Sequence, residues 1–131
     1  MSEWLNSKPT VQMLGRFQPF HKGHQELLKR ALAKTGQVAI LVRDMPLSKD
    51  NPIPSMSVKG DIEAVLEDMG VSDKVKVFVV PNIVNITYGR DVGYVIEQEH
   101  FDADIEAISA TKIRESGDFQ GYSEDFAGHP V

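Results

Sequence analysis

The sequence predicts an α/β fold in which a parallel sheet forms a single domain. Three apolar runs, at 10–14, 37–42 and 75–80, are typical of buried strands. An amphipathic segment, with apolar residues three and four positions apart, separates each run from the next. This alternation is the order that a right-handed parallel sheet produces, and a chain of 131 residues suits one domain with one core.

The first half of the chain has clear element boundaries. The first helix is predicted to begin at about Gly23 and to end at Gly36, because glycine is common just after a helix. Three prolines make 44–55 a loop. The second helix follows this loop and ends at Gly70. The run at 37–42 is almost continuously apolar, which predicts a strand buried on both faces.

The elements after Pro81 are less regular. Residues 83–88 could form another strand, but a parallel crossover needs about a dozen residues or more, and only two separate this segment from 75–80. It is therefore a bent continuation, a hairpin, or the place where a crossover helix has been trimmed away. Residues 92–100 look helical. A last short strand is predicted at 105–108 and a short helix from Thr111.

Composition narrows the classes of partner. The formal net charge is −5 and the sequence has no run of lysine and arginine, which argues against a nucleic-acid partner. No apolar run approaches the roughly 20 residues that a membrane span needs, and the first residues lack the features of a secretory signal. Cysteine is absent, which fits a cytoplasmic protein. The scattered cations fit a small anionic ligand, but a slightly acidic solvated surface accounts for the net charge equally well.

Residues 15–24 carry the strongest chemical signal. They read Gly-Arg-Phe-Gln-Pro-Phe-His-Lys-Gly-His, between the first strand and the first helix. Ligands of parallel sheets bind at this end of the strands, where a helix N-terminus attracts anions. Gly15 and Gly23 allow close approach of a phosphate, His21 and His24 can donate to the same phosphate, and Arg16 adds a forked permanent charge. Zinc is disfavoured because no third ligand is near.

Residues 108–115 form a second, weaker constellation at the end of the last predicted strand. They read Ile-Ser-Ala-Thr-Lys-Ile-Arg-Glu. Ser109 or Thr111 can cap a helix, and their hydroxyls can hold phosphate oxygens. Arg114 lies one helical turn after Thr111, so both can address one anion. We expect the two constellations to meet in space and to form a cationic cradle around a triphosphate.

Residues 15–24 resemble the signature of the HxGH nucleotidyltransferases, and their Gly-Arg-Phe-Gln-Pro form is closest to that of nicotinamide-mononucleotide adenylyltransferases. Residues 108–115 resemble the Ile-Ser-x-Thr-x-x-Arg motif of the same family. The resemblance implies a Rossmann-like, doubly wound parallel sheet. It also implies binding of ATP with Mg²⁺, and transfer of AMP to a phosphorylated small molecule with release of pyrophosphate. Residues 1–116 would form the nucleotidyltransferase domain, and 117–131 a C-terminal extension.

The resemblance also implies roles for individual residues. His21 and His24 would act catalytically at the α- and β-phosphates, and Arg114 at the departing pyrophosphate. Nucleotide binding is expected from a wider set on both constellations: Gly15, Arg16, Phe17, Gln18, Gly23, Ser109 and Thr111. Relatives are commonly dimers or larger, so a homo-oligomer is compatible with the resemblance.

The acceptor is expected to bind within 82–94. Tyr88 and Tyr94 could stack on a flat group such as nicotinamide, and Arg90, beside Asp91, could bind the acceptor phosphate. We therefore predict acceptor contacts from Tyr88, Arg90 and Asp91. The alternative is an internal turn formed by Arg90 and Asp91, with both tyrosines in the core.

Two other functions compete with adenylyl transfer. The chain length suits a CTP-dependent cytidylyltransferase of the glycerol-3-phosphate type. Those enzymes tend to read Gly-Thr-Phe-Asp where this chain has Gly-Arg-Phe-Gln at 15–18, and to carry an arginine shortly before Ile-Ser, unlike 106–109. A nucleotide-binding regulatory module without transfer activity is the other alternative, and the intact histidines and Arg114 count against it.

Overall fold

The computed structural model describes residues 4–90, 93 and 95–99. The α/β class predicted from the sequence is confirmed. In chain order the elements are β1 (Val11–Gly15), α1 (Lys22–Thr35), β2 (Val38–Arg43), α2 (Ser55–Met69) and β3 (Val75–Val80). The boundaries lie within a residue or so of the predicted ones, and α2 begins directly at the end of the proline-rich loop, as predicted. Within the described residues, no helix is long and apolar enough to cross a membrane.

The three strands form one parallel sheet in the order β1-β2-β3. Val38 of β2 is in register with Val11 on one side and Val75 on the other. Since parallel crossovers are right-handed, both helices pack on the same face, α1 on β1 and β2, and α2 on β2 and β3. This arrangement is one half of a doubly wound, Rossmann-like sheet. The outer edge of β1 is not paired by any described strand.

The core lies between the sheet and the two helices. Val38, Ile40 and Val42 of β2 point towards the helices and are fully buried. Ala39 and Leu41 point to the opposite face and are only half-buried. Burial on both faces was predicted for β2, but only the face covered by the helices is fully buried. Both described helices pack on that face.

The amino-terminal segment is tethered at the end of the sheet where the strands begin. The buried side chain of Gln37, just before β2, donates to Leu5 O at 2.9 Å and to Thr10 Oγ1 at 2.7 Å, and it accepts from Leu5 N at 3.2 Å. The ring of Trp4 packs against Phe78, with 6.5 Å between centroids. At the opposite end of the sheet, where the strands end and the helices begin, lie the loops that connect β1 to α1 and β2 to α2.

The predictions for 83–88 and 92–100 need correction. Residues 83–88 form no strand, since they pair with no described strand, and Val84 and Ile86 project into solvent. The described part of 92–100 is not helical either. Valine and isoleucine at 95 and 96 are poor helix formers. Glu99 reaches across to α1, where its carboxylate pairs with Lys34 at 2.8 Å and Arg30 at 3.3 Å. The elements predicted at 105–108 and 111–115 lie outside the described residues.

The core assignment makes a direct prediction for stability. Ile40 has no exposed surface, so Ile40→Ala removes buried methyl groups and leaves a cavity. We expect a loss of about 2–5 kcal/mol in the free energy of unfolding, measured by urea denaturation. Val84→Ala is the control, because Val84 is 79% exposed, and it should change stability by less than about 0.5 kcal/mol. Equal losses for the two variants would contradict the assignment.

Candidate active site

The loop between β1 and α1 lies at the end of the sheet where ligands of parallel α/β proteins bind. Gly15 closes β1, and the backbone of Phe17 turns through a positive φ of 52°. This turn folds the Phe17 ring back under Gly15. A Cβ at Gly15 would lie only 3.0 Å from Phe17 Cζ. The glycine predicted to admit a phosphate is therefore required first by the packing of the phenylalanine two residues later.

Phe17 and Gln18 have buried side chains, 4% exposed in each case. The Gln18 amide donates to Ile53 O at 2.8 Å and accepts from Ile53 N at 3.0 Å. Gln18 thus fastens the loop before α2 to the loop before α1. The structure gives both side chains a supporting role in the interior, and contact of either residue with a nucleotide stays a prediction.

His21 and His24 cap the first turn of α1 reciprocally. His21 Nδ1 accepts from the backbone N–H of Gly23 at 3.0 Å, and His24 Nδ1 accepts from the backbone N–H of His21 at 3.1 Å. A neutral imidazole that accepts at Nδ1 carries its proton at Nε2. The cap therefore fixes the same tautomer in both rings. The cap also occupies the backbone N–H groups of His21 and Gly23, so these two N–H groups are not available to a phosphate.

The two imidazoles form the end of an aromatic stack. Their centroids lie 3.9 Å apart at 21° between planes. Phe20 stacks on His24 with 5.5 Å between centroids, and Phe17 meets His24 edge to face at 4.9 Å. Because each Nδ1 accepts from the backbone, each Nε2 lies on the side of its ring away from the cap. Two Nε2–H groups on adjacent, nearly parallel rings can thus donate to oxygens of the same phosphate chain.

Both imidazoles are neutral at physiological pH. Burial lowers the pKa of His21 from 6.5 to about 4. Burial, and to a smaller extent the neighbouring His21, lower the pKa of His24 from 6.5 to about 3. The histidines therefore offer hydrogen-bond donors and no charge. The cationic cradle stays a prediction, in which Arg16 and Arg114 supply the positive charge.

Arg16 projects from the same loop. Its Nη1 donates to Asn51 Oδ1 at 3.4 Å, and no carboxylate among the described residues forms an ion pair with it. Asn51 is buried and forms a tight turn with Ser48, in which each backbone N–H donates to the other carbonyl. Sequence analysis missed Asn51. The only available signal was a serine and an asparagine three residues apart in a proline-rich loop, a common turn pattern.

The structure therefore gathers five predicted site residues at the start of α1: Gly15, Arg16, His21, Gly23 and His24. Tyr88 and Arg90, the predicted acceptor residues, are exposed on the irregular segment after β3. Their exposure argues against the alternative in which Tyr88 is a core residue. Asp91, Ser109, Thr111 and Arg114 lie outside the described residues, so the meeting of the two constellations stays a prediction.

Residues 13–80 contain most of β1, all of β2 and β3, both helices and the loop 16–21 between β1 and α1, which we call the histidine loop. This stretch, more than half of the chain, matches the family model described as cytidylyltransferase-like. The chain belongs to the cytidylyltransferase-like family. The resemblance to nucleotidyltransferases predicted from residues 15–24 is thereby confirmed at the level of the family.

The relatives are adenylyltransferases by name. Over 69 residues the chain is 38% identical to nicotinamide-nucleotide adenylyltransferase of Ignicoccus hospitalis, a match that covers 51% of this chain and 40% of that protein. It also resembles two crystal structures of a bifunctional NMN adenylyltransferase/ADP ribose pyrophosphatase from Francisella tularensis, one complexed with AMP and a Mn ion. Each has 30% identity and a TM-score of 0.53, covering 56% of this chain and 22% or 23% of theirs. The match thus spans less than half of these proteins.

The cap predicts a spectroscopic signature. At neutral pH, ¹H–¹⁵N spectra of the imidazoles should show His21 and His24 as neutral Nε2–H tautomers, with titration midpoints near 4 and 3. His21→Asn and His24→Gln variants assign the signals. A protonated ring at neutral pH, or a proton on Nδ1, would contradict the capping geometry.

The lowered pKa values also predict how stability depends on pH. Below 6.5 the unfolded imidazoles take up protons, whereas the folded ones stay neutral until about 4 and 3. The free energy of unfolding should therefore keep the full histidine contribution above pH 6.5 and lose it progressively as pH falls to about 4 for His21 and about 3 for His24. Urea denaturation across this range measures the effect. His24→Gln, which keeps a capping side chain, should lose less than the wild type.

Proposed function

We propose that the protein is an adenylyltransferase that transfers AMP from ATP to a phosphorylated small molecule resembling nicotinamide mononucleotide, with release of pyrophosphate. The observation that carries this proposal is the stacked pair of Nε2–H donors at the carboxyl end of β1. The names of the relatives support adenylyl transfer and a nicotinamide nucleotide acceptor. ATP and CTP are compared in the experiment below.

The reaction needs donors in fixed positions more than it needs proton transfer. A phosphate oxygen of the acceptor attacks the α-phosphorus and forms the new P–O bond. The bond from the α-phosphorus to the bridging oxygen breaks, and its electron pair leaves with pyrophosphate. Negative charge grows on the phosphate oxygens, where preorganised donors stabilise it. His21 and His24 act as such donors in the proposed mechanism, and neither ring changes its protonation state.

Arg16 and Arg114 are proposed to supply the positive charge. Arg16 stands in the histidine loop, and its charge is not compensated by a described carboxylate. The topology supports a place for Arg114 opposite it. The edge of β1 away from β2 is free of described strands, and a parallel strand at 105–108 added there would end beside Gly15, because neighbouring parallel strands end at the same edge. Ser109, Thr111 and Arg114 would then follow next to the histidine loop.

Mg²⁺ is proposed to arrive with the nucleotide. The described residues contain no group of three or more histidine, cysteine or acidic side chains that could hold a metal ion. No described residue is proposed as its ligand, and the nucleotide would carry it into the site. When bound, it would neutralise charge on the triphosphate. The protein's own part is to bind the oxygens that the ion leaves free.

The acceptor is proposed to bind at the segment after β3. The Tyr88 side chain is exposed and offers a flat surface for stacking, and the exposed Arg90 offers a fork for a phosphate group. Asp91 follows directly and completes the proposed acceptor set. The chain thus carries separate candidates for the nucleotide, on the loop before α1, and for the acceptor.

Substitution of His24 tests the proposal. His24→Ala removes one donor to the reacting phosphates, and we expect the turnover to fall by about 10²–10³-fold. Pyrophosphate release from ATP with nicotinamide mononucleotide measures it, with CTP and other phosphorylated acceptors run in parallel. Lys22→Ala is the matched control, since Lys22 is exposed in the same helical turn and should leave turnover within about twofold.

Three outcomes would contradict the proposal. His24→Ala with full turnover at saturating ATP would remove the histidine from the mechanism. A preference for CTP over ATP would favour cytidylyl transfer. Binding of ATP without turnover on any acceptor would favour a regulatory module.

A further inference from the structure

A hydrogen-bonded chain connects Arg16 to the loop before α2. Arg16 Nη1 donates to Asn51 Oδ1 at 3.4 Å, and Asn51 Nδ2 approaches Ser48 Oγ at 3.2 Å. The backbone N–H of Asn51 also donates to Ser48 Oγ at 3.1 Å. The partners of the first contact are 35 residues apart in sequence. The Arg16 guanidinium, in the connection from β1 to α1, is therefore held by Asn51, in the connection from β2 to α2.

The Asn51 side chain has one possible orientation. Arginine has donors and no acceptor, so the atom that faces it must be the amide oxygen. The amide nitrogen then faces the Ser48 hydroxyl, and both ends of the amide are engaged. Asn51 is only 6% exposed, and two residues later the backbone of Ile53 is fixed by Gln18. The oxygen that meets Arg16 thus stands on a rigid support.

A neutral partner matters for what Arg16 can do. A carboxylate at this position would orient the guanidinium equally well, but its charge would cancel much of the field at a nearby phosphate. An amide oxygen orients the guanidinium and leaves its charge available. The choice between an amide and a carboxylate matters here because the protein is already acidic. Its net charge is −5, and Asp50 directly precedes Asn51.

We propose that Asn51 is a positioning residue that aims the Arg16 guanidinium at the triphosphate while preserving its positive charge. This inference rests on the proposed function of the same site. It extends the site beyond the histidine loop to the turn formed by Ser48 and Asn51. The anion-binding strength of Arg16 then depends on an uncharged side chain that contacts no substrate itself.

Binding of inorganic tripolyphosphate, measured by isothermal titration calorimetry, tests this inference without catalysis. Asn51→Asp supplies a charged partner and should raise the dissociation constant by about tenfold. Asn51→Ala loses the bonds to Arg16 and to Ser48 without adding charge, and should raise the dissociation constant by about two- to fivefold. Asn6→Asp is the matched control. It adds the same charge on the amino-terminal segment, tethered through Gln37 at the other end of the sheet, and should stay within about twofold of the wild type.

A double-mutant cycle with Arg16→Ala shows whether the effect passes through Arg16. In the Arg16→Ala background, both Asn51 substitutions should change tripolyphosphate binding by less than about twofold. Equal effects in the two backgrounds would overturn the inference, as would Asn51→Asp binding as tightly as Asn51→Ala. If circular dichroism shows that Asn51→Asp does not fold, Asn51→Ala in both backgrounds decides alone. A wild type that binds neither tripolyphosphate nor ATP would instead overturn the proposed function itself.

Discussion

The reciprocal cap between His21 and His24 is the interaction on which the rest of the site depends. One pair of hydrogen bonds starts α1, holds two rings 3.9 Å apart and fixes the proton of each ring at Nε2. Serine or aspartate would cap the helix as well, but neither would present an N–H on its outer side. An imidazole accepts at one nitrogen and donates at the other. In the cap, each imidazole accepts a backbone N–H of the helix N-terminus at Nδ1. Its Nε2–H donor then points away from the helix N-terminus.

The burial that accompanies the cap separates hydrogen bonding from charge. Phe20 and Phe17 pack against His24, and burial lowers the pKa of both imidazoles far below neutrality. Neutral rings can stack closely, whereas two imidazolium ions at this distance would repel each other. The positive charge must then come from groups that never lose it. Arginine meets this requirement, because its guanidinium stays protonated in proteins.

Periodicity predicted the fold of the first 80 residues well, since β3 was placed at its observed bounds, 75–80. The position of the histidine loop was predictable for the same reason, as it follows from strand and helix order. The contacts of Gln18 with Ile53 and of Arg16 with Asn51 were not predictable, because each joins residues 35 apart that share no local pattern. A strand at 83–88, one of the possibilities that the sequence left open, is not formed, because apolar content alone does not provide a partner strand.

The sequence also could not divide residues 15–24 into those that support the site and those that line it. Gly15 leaves room for the Phe17 ring, Phe17 packs on His24, and Gln18 bonds the backbone of Ile53, two residues after the Asn51 that contacts Arg16. Each of these residues supports a neighbour in the loop, and their contact with a nucleotide stays a prediction. The short motif is therefore a folding unit whose interior side chains set the geometry of its outward donors. In the proposed function, phosphate binding also depends on the loop before α2, so a change in that loop is expected to alter binding while every residue of the motif remains intact.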